Sequence, residues 1–219
     1  MIRLIILDFD GTLGDTRANI VMTMNQTLAK MGYPVAGEEE VAATIGVPLE
    51  EGFRLLLPGI SDEEADECAV TYRDIFEINR KKLVPRLFPQ VRETLAKLWE
   101  RGYVLTVASS RLSASLNGFL KDMEIDGYIS YVLGADNVAK AKPDPEPVLK
   151  TMSELGFSPG ETLVVGDMPV DIIMGRSAGA LTCGVTYGNS CREDLLLSGA
   201  GSVIDSFSDL LEIAGIAAN

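Results

Sequence analysis

The string Asp8-Phe9-Asp10-Gly11-Thr12-Leu13 puts two carboxylates two residues apart, directly after the apolar run Leu4-Ile5-Ile6-Leu7. Side chains two apart in extended backbone share a side, so Asp8 and Asp10 can converge just beyond the end of a strand, where parallel sheets bind ligands. Gly11 lets the chain turn sharply there. An acidic pair can also make an Asx-type turn, but the Gly-Thr-Leu continuation favours the chemical reading. A second pair closes another apolar run, Thr162-Leu163-Val164-Val165-Gly166-Asp167-Met168-Pro169-Val170-Asp171. Asp167 falls at the strand tip, Pro169 suits a first helical turn, and Asp171 can look back toward the same spot. Either acid could instead cap that helix. If the two pairs lie on adjacent strand tips they repel unless a cation sits between them. Oxygen donors without His or Cys select a hard ion, and Mg²⁺ is the expected one.

Two further stretches offer what an anion needs. Val104-Leu105-Thr106-Val107-Ala108 runs into Ser109-Ser110 and then opens a helix, supplying hydroxyls and free N–H groups at the positive end of the helix dipole. Serine is also an ordinary N-cap. Lys142 precedes Pro143-Asp144-Pro145 and therefore stands in a stiff, extended loop.

Composition narrows the chemistry. The 219 residues contain no histidine, which excludes Ser-His-Asp and Cys-His nucleophile systems, His-ligated zinc and an imidazole base. The net charge of −13 argues against a nucleic-acid partner, since polyanions are held by excess Lys and Arg. Cys68, Cys183 and Cys191 have no metal-type spacing and read as reduced, packed thiols. No apolar run approaches membrane-spanning length and the opening apolar stretch is too short for a signal peptide, so a cytoplasmic protein with no membrane partner is expected.

The elements that must position these residues form two textures. Continuous apolar runs at 4–7, 104–108, 131–133, 162–165, 181–185 and 202–204 alternate with helical patterns such as Val91, Leu95, Leu98 and Trp99, or Val148, Met152 and Leu155. That alternation predicts an α/β core with a parallel sheet covered on both faces. Between Asp15 and Pro85 only helical spacing recurs: Ile20, Met24, Leu28 and Met31, then Ala65, Ala69, Tyr72 and Phe76. Asp15 or Thr16 is a candidate N-cap, Gly32 a stop and Ser61-Asp62 a second start. The chain thus divides into an α/β core of residues 1–14 and 86–219 and an inserted all-α segment of residues 15–85. Residues 38–77 carry twelve acids against Arg54 and Arg73, which reads as a solvated outer face.

In this order the four stretches resemble the haloacid dehalogenase superfamily, in particular its phosphoglycolate-phosphatase-like members with a helical cap after the first motif. The resemblance spans essentially the whole chain and implies a Rossmann-like core, a cap domain over residues 15–85 and a Mg²⁺-dependent phosphatase acting on a small phosphorylated metabolite, phosphoglycolate-like or another small organic phosphate. It implies that Asp8 is the nucleophile that forms an aspartyl-phosphate and that Asp10 is the acid and base. Ser109, Ser110, Lys142 and Gly11 would hold phosphate. Asp8, the Asp10 carbonyl and Asp167 would bind the metal, with Asp171 orienting Lys142 or a water on that metal. Neighbouring acids are expected to raise the proton affinity of Asp10. Arg17, Arg54, Arg73 and Arg111 are the candidates for reading the rest of the substrate. Members of the resembled group often have Thr-Asn where this chain has Ser109-Ser110, a departure that retains the hydroxyl. Alternatives are an inorganic pyrophosphatase, a phosphosugar mutase or a non-enzymatic scaffold. Mutases of this type place a cap histidine where this chain has Ile20, and a scaffold would be expected to have broken one of the motifs.

Overall fold

A computed structural model describes residues 1–216. In chain order the elements are β1 (Leu4–Leu7), β2 (Gly14–Asp15), α1 (Arg17–Lys30), α2 (Glu38–Ala42), α3 (Leu49–Leu56), α4 (Asp62–Lys82), β3 (Arg86–Leu87), α5 (Val91–Glu100), β4 (Val104–Ala108), α6 (Ser113–Asp122), β5 (Ile129–Leu133), α7 (Glu146–Leu155), β6 (Thr162–Gly166), α8 (Pro169–Ser177), β7 (Leu181–Val185), α9 (Arg192–Leu197), β8 (Ser202–Ile204) and α10 (Leu210–Ile213).

The expected parallel sheet is present, six strands in the order β5-β4-β1-β6-β7-β8. The order reverses at β1, which lies between β4 and β6, and this puts the switch point beside the Asp8 string. The pleat splits β1 between two layers: Ile5 and Leu7 join the cluster containing Leu95, Leu98 and Phe119, while Leu4 and Ile6 join Val148, Met152 and Met174. Both faces are dry, so an unbroken apolar run is the pattern a central strand requires. On α5, Val91, Leu95 and Leu98 are buried but Trp99 is half exposed, so the helical stripe is narrower than the sequence spacing suggested.

Helices α1–α4 occupy the stretch where only helical spacing was found. Ser61 caps α4 in a reciprocal box with Glu64, as its position ahead of Asp62 predicted. The short antiparallel pair β2–β3 was not expected. It joins the two chain crossings between the helical stretch and the sheet, pairing Asp15 with Arg86. The helices reach the sheet's C-terminal end, where the Ser110 hydroxyl donates to the Gly46 carbonyl at 2.6 Å. Cys68 and Cys183 are buried free thiols, as expected, whereas Cys191 is exposed at the start of α9 rather than packed. Among the described residues no helix is long and apolar enough to cross a membrane.

Candidate active site

Asp8 follows β1 and Asp167 follows β6, strands paired in register Leu7 to Val165, so their side chains meet at adjacent tips. Asp171 stands in the first turn of α8, where one oxygen accepts from the Met168 N–H and the other accepts from Lys142. Asp171 thus caps the helix turn and contacts Lys142 at once. Gly166 makes this joint possible, because a Cβ there would lie 2.3 Å from the Asp171 side chain. Gly11 has φ +86°, and a Cβ on it would lie 2.1 Å from Asp167 Oδ2.

Lys142 closes the centre. Its Nζ donates to Asp8 Oδ1 at 2.5 Å and to Asp171 Oδ1 at 2.7 Å, and all of these groups are buried. Burial works against the ammonium, but Asp171 and Asp8 outweigh it and raise the Lys142 pKa. Burial is also the largest influence on Asp8: Lys142 opposes it, yet with Asp171 and Asp167 nearby the Asp8 carboxyl is held well above its usual range. Burial and the charge of Asp171 push Asp167 up to about 7, against the pull of hydrogen bonds from Asn189.

The arrangement fits a hard divalent cation. Asp8, Asp167 and Asp171 each offer an oxygen, these oxygens all lie within 4.8 Å of one another, and the donor set contains no sulfur or imidazole. Buried carboxylates whose proton affinity is raised lack positive charge, and a cation supplies it. Counting Asp10 and Arg111, four carboxylates face two cationic side chains, a formal deficit that one divalent ion cancels.

The Asp10 carboxylate turns away from this triad. Arg111 donates to it through Nε at 2.7 Å and Nη2 at 2.6 Å, and the Thr16 hydroxyl donates at 2.5 Å. The expectation of an Asp10 surrounded by acids is corrected, since its nearest charged neighbour is this guanidinium. Thr16 stands at the N-cap of α1 but spends its hydroxyl on Asp10 instead of capping. Ser109 and Lys142 line one narrow crevice, while the Ser110 hydroxyl is committed to Gly46.

The four arginines separate. Arg17 pairs with Glu38 and Glu39, and Arg54 with Glu51 and Asp62, both on exposed surface. Arg73 pairs with Glu50 at 2.7 Å and lines the main cavity together with Arg111. Asn189 was missed by the sequence reading: its backbone N–H and its side-chain amide each donate to Asp167 Oδ2 at 2.8 Å. Its position just past β7, the next strand after β6, was the available signal.

Fold and centre together define an α/β protein with a buried acidic site, fit for a cation, at the carboxyl ends of a parallel sheet. Residues 5–185 match the haloacid dehalogenase-like hydrolases, and the chain belongs to that family. It is 36% identical over 96% of its length to "Probable phosphatase IndB" of Dickeya dadantii, covering 93% of that protein. It is 32% identical to a phosphoglycolate phosphatase of Photorhabdus laumondii (98% and 93% covered) and 34% identical to the pyrophosphatase PpaX of Anoxybacillus flavithermus (98% and 98%). A haloacid dehalogenase-like hydrolase of Streptococcus pneumoniae superposes with a TM-score of 0.86 at 22% identity over 97% of this chain and 98% of that one, a likeness of fold.

Proposed function

We propose that the protein is a Mg²⁺-dependent phosphatase that hydrolyses a small organic phosphate monoester through an aspartyl-phosphate on Asp8. The observation that carries this reading is the buried Asp8–Lys142–Asp171 bridge beside Asp167 at the sheet's switch point. The names of the relatives agree on phosphoryl hydrolysis and divide over substrate. Residues 15–85 are proposed as the cap domain, with β2–β3 as its junction to the core.

When bound, Mg²⁺ held by Asp8, Asp167 and the Asp10 carbonyl would neutralise the carboxylates and withdraw charge from the transferring group. Asp8 attacks phosphorus, forming an Oδ–P bond as the ester P–O bond breaks. Lys142 pulls Asp8 toward its ionised, nucleophilic form against the effect of burial, and with Ser109 it would hold the phosphoryl oxygens. Asp10 gives a proton to the departing alkoxide. It then takes one from the water that attacks phosphorus and frees Asp8. Arg111 fixes the orientation of the Asp10 carboxyl through Nε and Nη2. Ile20, on the cavity wall, offers no group for proton transfer, which favours hydrolysis over a mutase reaction.

The test is phosphate release from p-nitrophenyl phosphate with Mg²⁺ and with chelator. Wild type turns over only with metal. Asp8→Asn loses at least ~10³-fold in kcat while remaining folded, the scale expected for removing a nucleophile. Residual turnover within tenfold of wild type would remove Asp8 from that role.

A further inference from the structure

The main cavity, about 490 Å³, opens between the α1–α4 segment and the core, with Asp10, Ser110 and Arg111 on its inner wall. That volume lies within the ~300–1,000 Å³ range of pockets that enclose drug-sized ligands. It far exceeds what a two-carbon acid or a second phosphate needs. Most of its remaining wall is apolar, from Ile20, Met24, Ile45, Val47, Leu49 and Leu112 with the Tyr72 and Phe76 rings beside them, and Thr44, Arg73, Glu77, Arg80 and Ser115 complete it. Phe76 stacks on Tyr72 at 5.8 Å and meets Phe119 edge-on at 6.0 Å, so the aromatic side of the wall is continuous with the core.

Each cation of this cavity faces an acid, although the Arg80 Nε is left without a hydrogen-bond partner. Arg73 is held by Glu50 at 2.7 Å, Arg80 lies 3.0 Å from Glu77, and Arg111 is forked onto Asp10 with its guanidinium 4.7 Å from the Phe76 ring centre and 4.8 Å from that of Phe119. A substrate with a second anionic group would have to compete with the carboxylates already beside these arginines, Glu77 on the wall among them, in a cavity whose wall is mostly apolar. An apolar leaving group needs no such exchange and removes both its own surface and the wall from water.

We infer that the alcohol released by this enzyme is a bulky apolar one, a medium-chain alkyl or an aryl group without its own charge, seated between α1, the Ile45–Leu49 loop and the Tyr72–Phe76 face of α4. This rests on the phosphatase reading and adds the substrate class to it. Arg111 stands at the boundary, with its charged edge toward Asp10 and its flat face against the rings. It thus divides the polar reaction centre from the apolar chamber.

A series of n-alkyl phosphates from ethyl to hexyl tests the idea, because the leaving-group pKa barely changes while one methylene is added at a time. With Mg²⁺, kcat/KM should rise by roughly 4-fold per methylene, about 250-fold across the series. Hexyl and benzyl phosphate should exceed both phosphoglycolate and pyrophosphate. Hexylphosphonate, which has no ester bond to break, should bind more tightly than ethylphosphonate in calorimetry by a similar ratio. Val47→Phe, which fills the chamber, should lower the hexyl-to-ethyl ratio at least tenfold, and a ratio taken within one variant is unaffected by partial loss of folded protein. A flat series, or a preference for phosphoglycolate or pyrophosphate, overturns the apolar-substrate inference and leaves the phosphatase reading standing. Absence of phosphate release from every ester and anhydride overturns the reading itself.

Discussion

Lys142 carries two short contacts to buried acids, so its removal leaves negative charge without a partner. Lys142→Met keeps much of the aliphatic stem and deletes the ammonium. In metal-free protein at pH 8 it should cost about 3–5 kcal/mol, the scale of an uncompensated buried charge. At pH 5 the loss should shrink, because Asp167, pushed up to about 7, then carries a proton in the folded state and Asp8 is shifted in the same direction. Urea unfolding at the two pH values checks this, and equal losses would mean that the stem, not the charge, is what Lys142 contributes. Asp8, Asp167 and Lys142 were legible in the sequence because each follows a strand tip or precedes a proline that fixes its backbone. The Arg111–Asp10 fork was not, since it joins residues 101 apart and depends on the ring pocket that aims Arg111. Thr16 was legible as a helix start but not as a partner of Asp10, because one hydroxyl can serve either purpose.

Between strand and helix the decisive joint is β6 to α8, where Gly166, Asp167 and Asp171 must fit within one turn. Gly166→Ala would put a methyl group 2.3 Å from the Asp171 side chain, a contact that only movement of Asp171 relieves. Overpacking of this kind should cost about 1–3 kcal/mol. Because Asp171 also anchors Lys142, kcat should fall more than tenfold; an alanine variant with wild-type kcat would show that Asp171 can shift without disturbing Lys142. Thermal unfolding and steady-state rates measure the two effects separately. The six sheet strands could be read in advance because burial on both faces demands uninterrupted apolar runs, as in Leu4–Leu7. The β2–β3 ribbon could not. Two residues on each side carry no apolar period, and Gly14 pairs with Leu87 only because the chain leaves and re-enters the core at the same place.

At the scale of the whole molecule, helical segment and core share one apolar cluster, in which Phe53, Tyr72 and Phe76 join Phe9 and Phe119. The segment's outer acids, Glu38, Glu39 and Glu40 among them, face solvent, as the charge run suggested. The acids at the sheet tips instead face one another, and this links global stability to pH and to cation. An Asp167 carboxyl near 3.9 in the unfolded chain and at about 7 in the folded protein binds more protons when folded. Its stabilising contribution is therefore complete below pH ~4 and is lost as pH rises through ~7, with Asp8 shifted in the same direction. In chelator the unfolding free energy should fall by a few kcal/mol between pH 4 and 8. Mg²⁺ should act in the opposite sense: its ligands must be deprotonated, so stabilisation should be small at pH 5 and, at one hundred times the dissociation constant, reach about 2.7 kcal/mol at pH 8. For a chain of this size each kcal/mol moves Tm by roughly 2–4 °C. A Tm in chelator that stays level from pH 4 to 8, with no added Mg²⁺ effect at the upper end, would mean that the buried carboxylates are balanced by the protein alone.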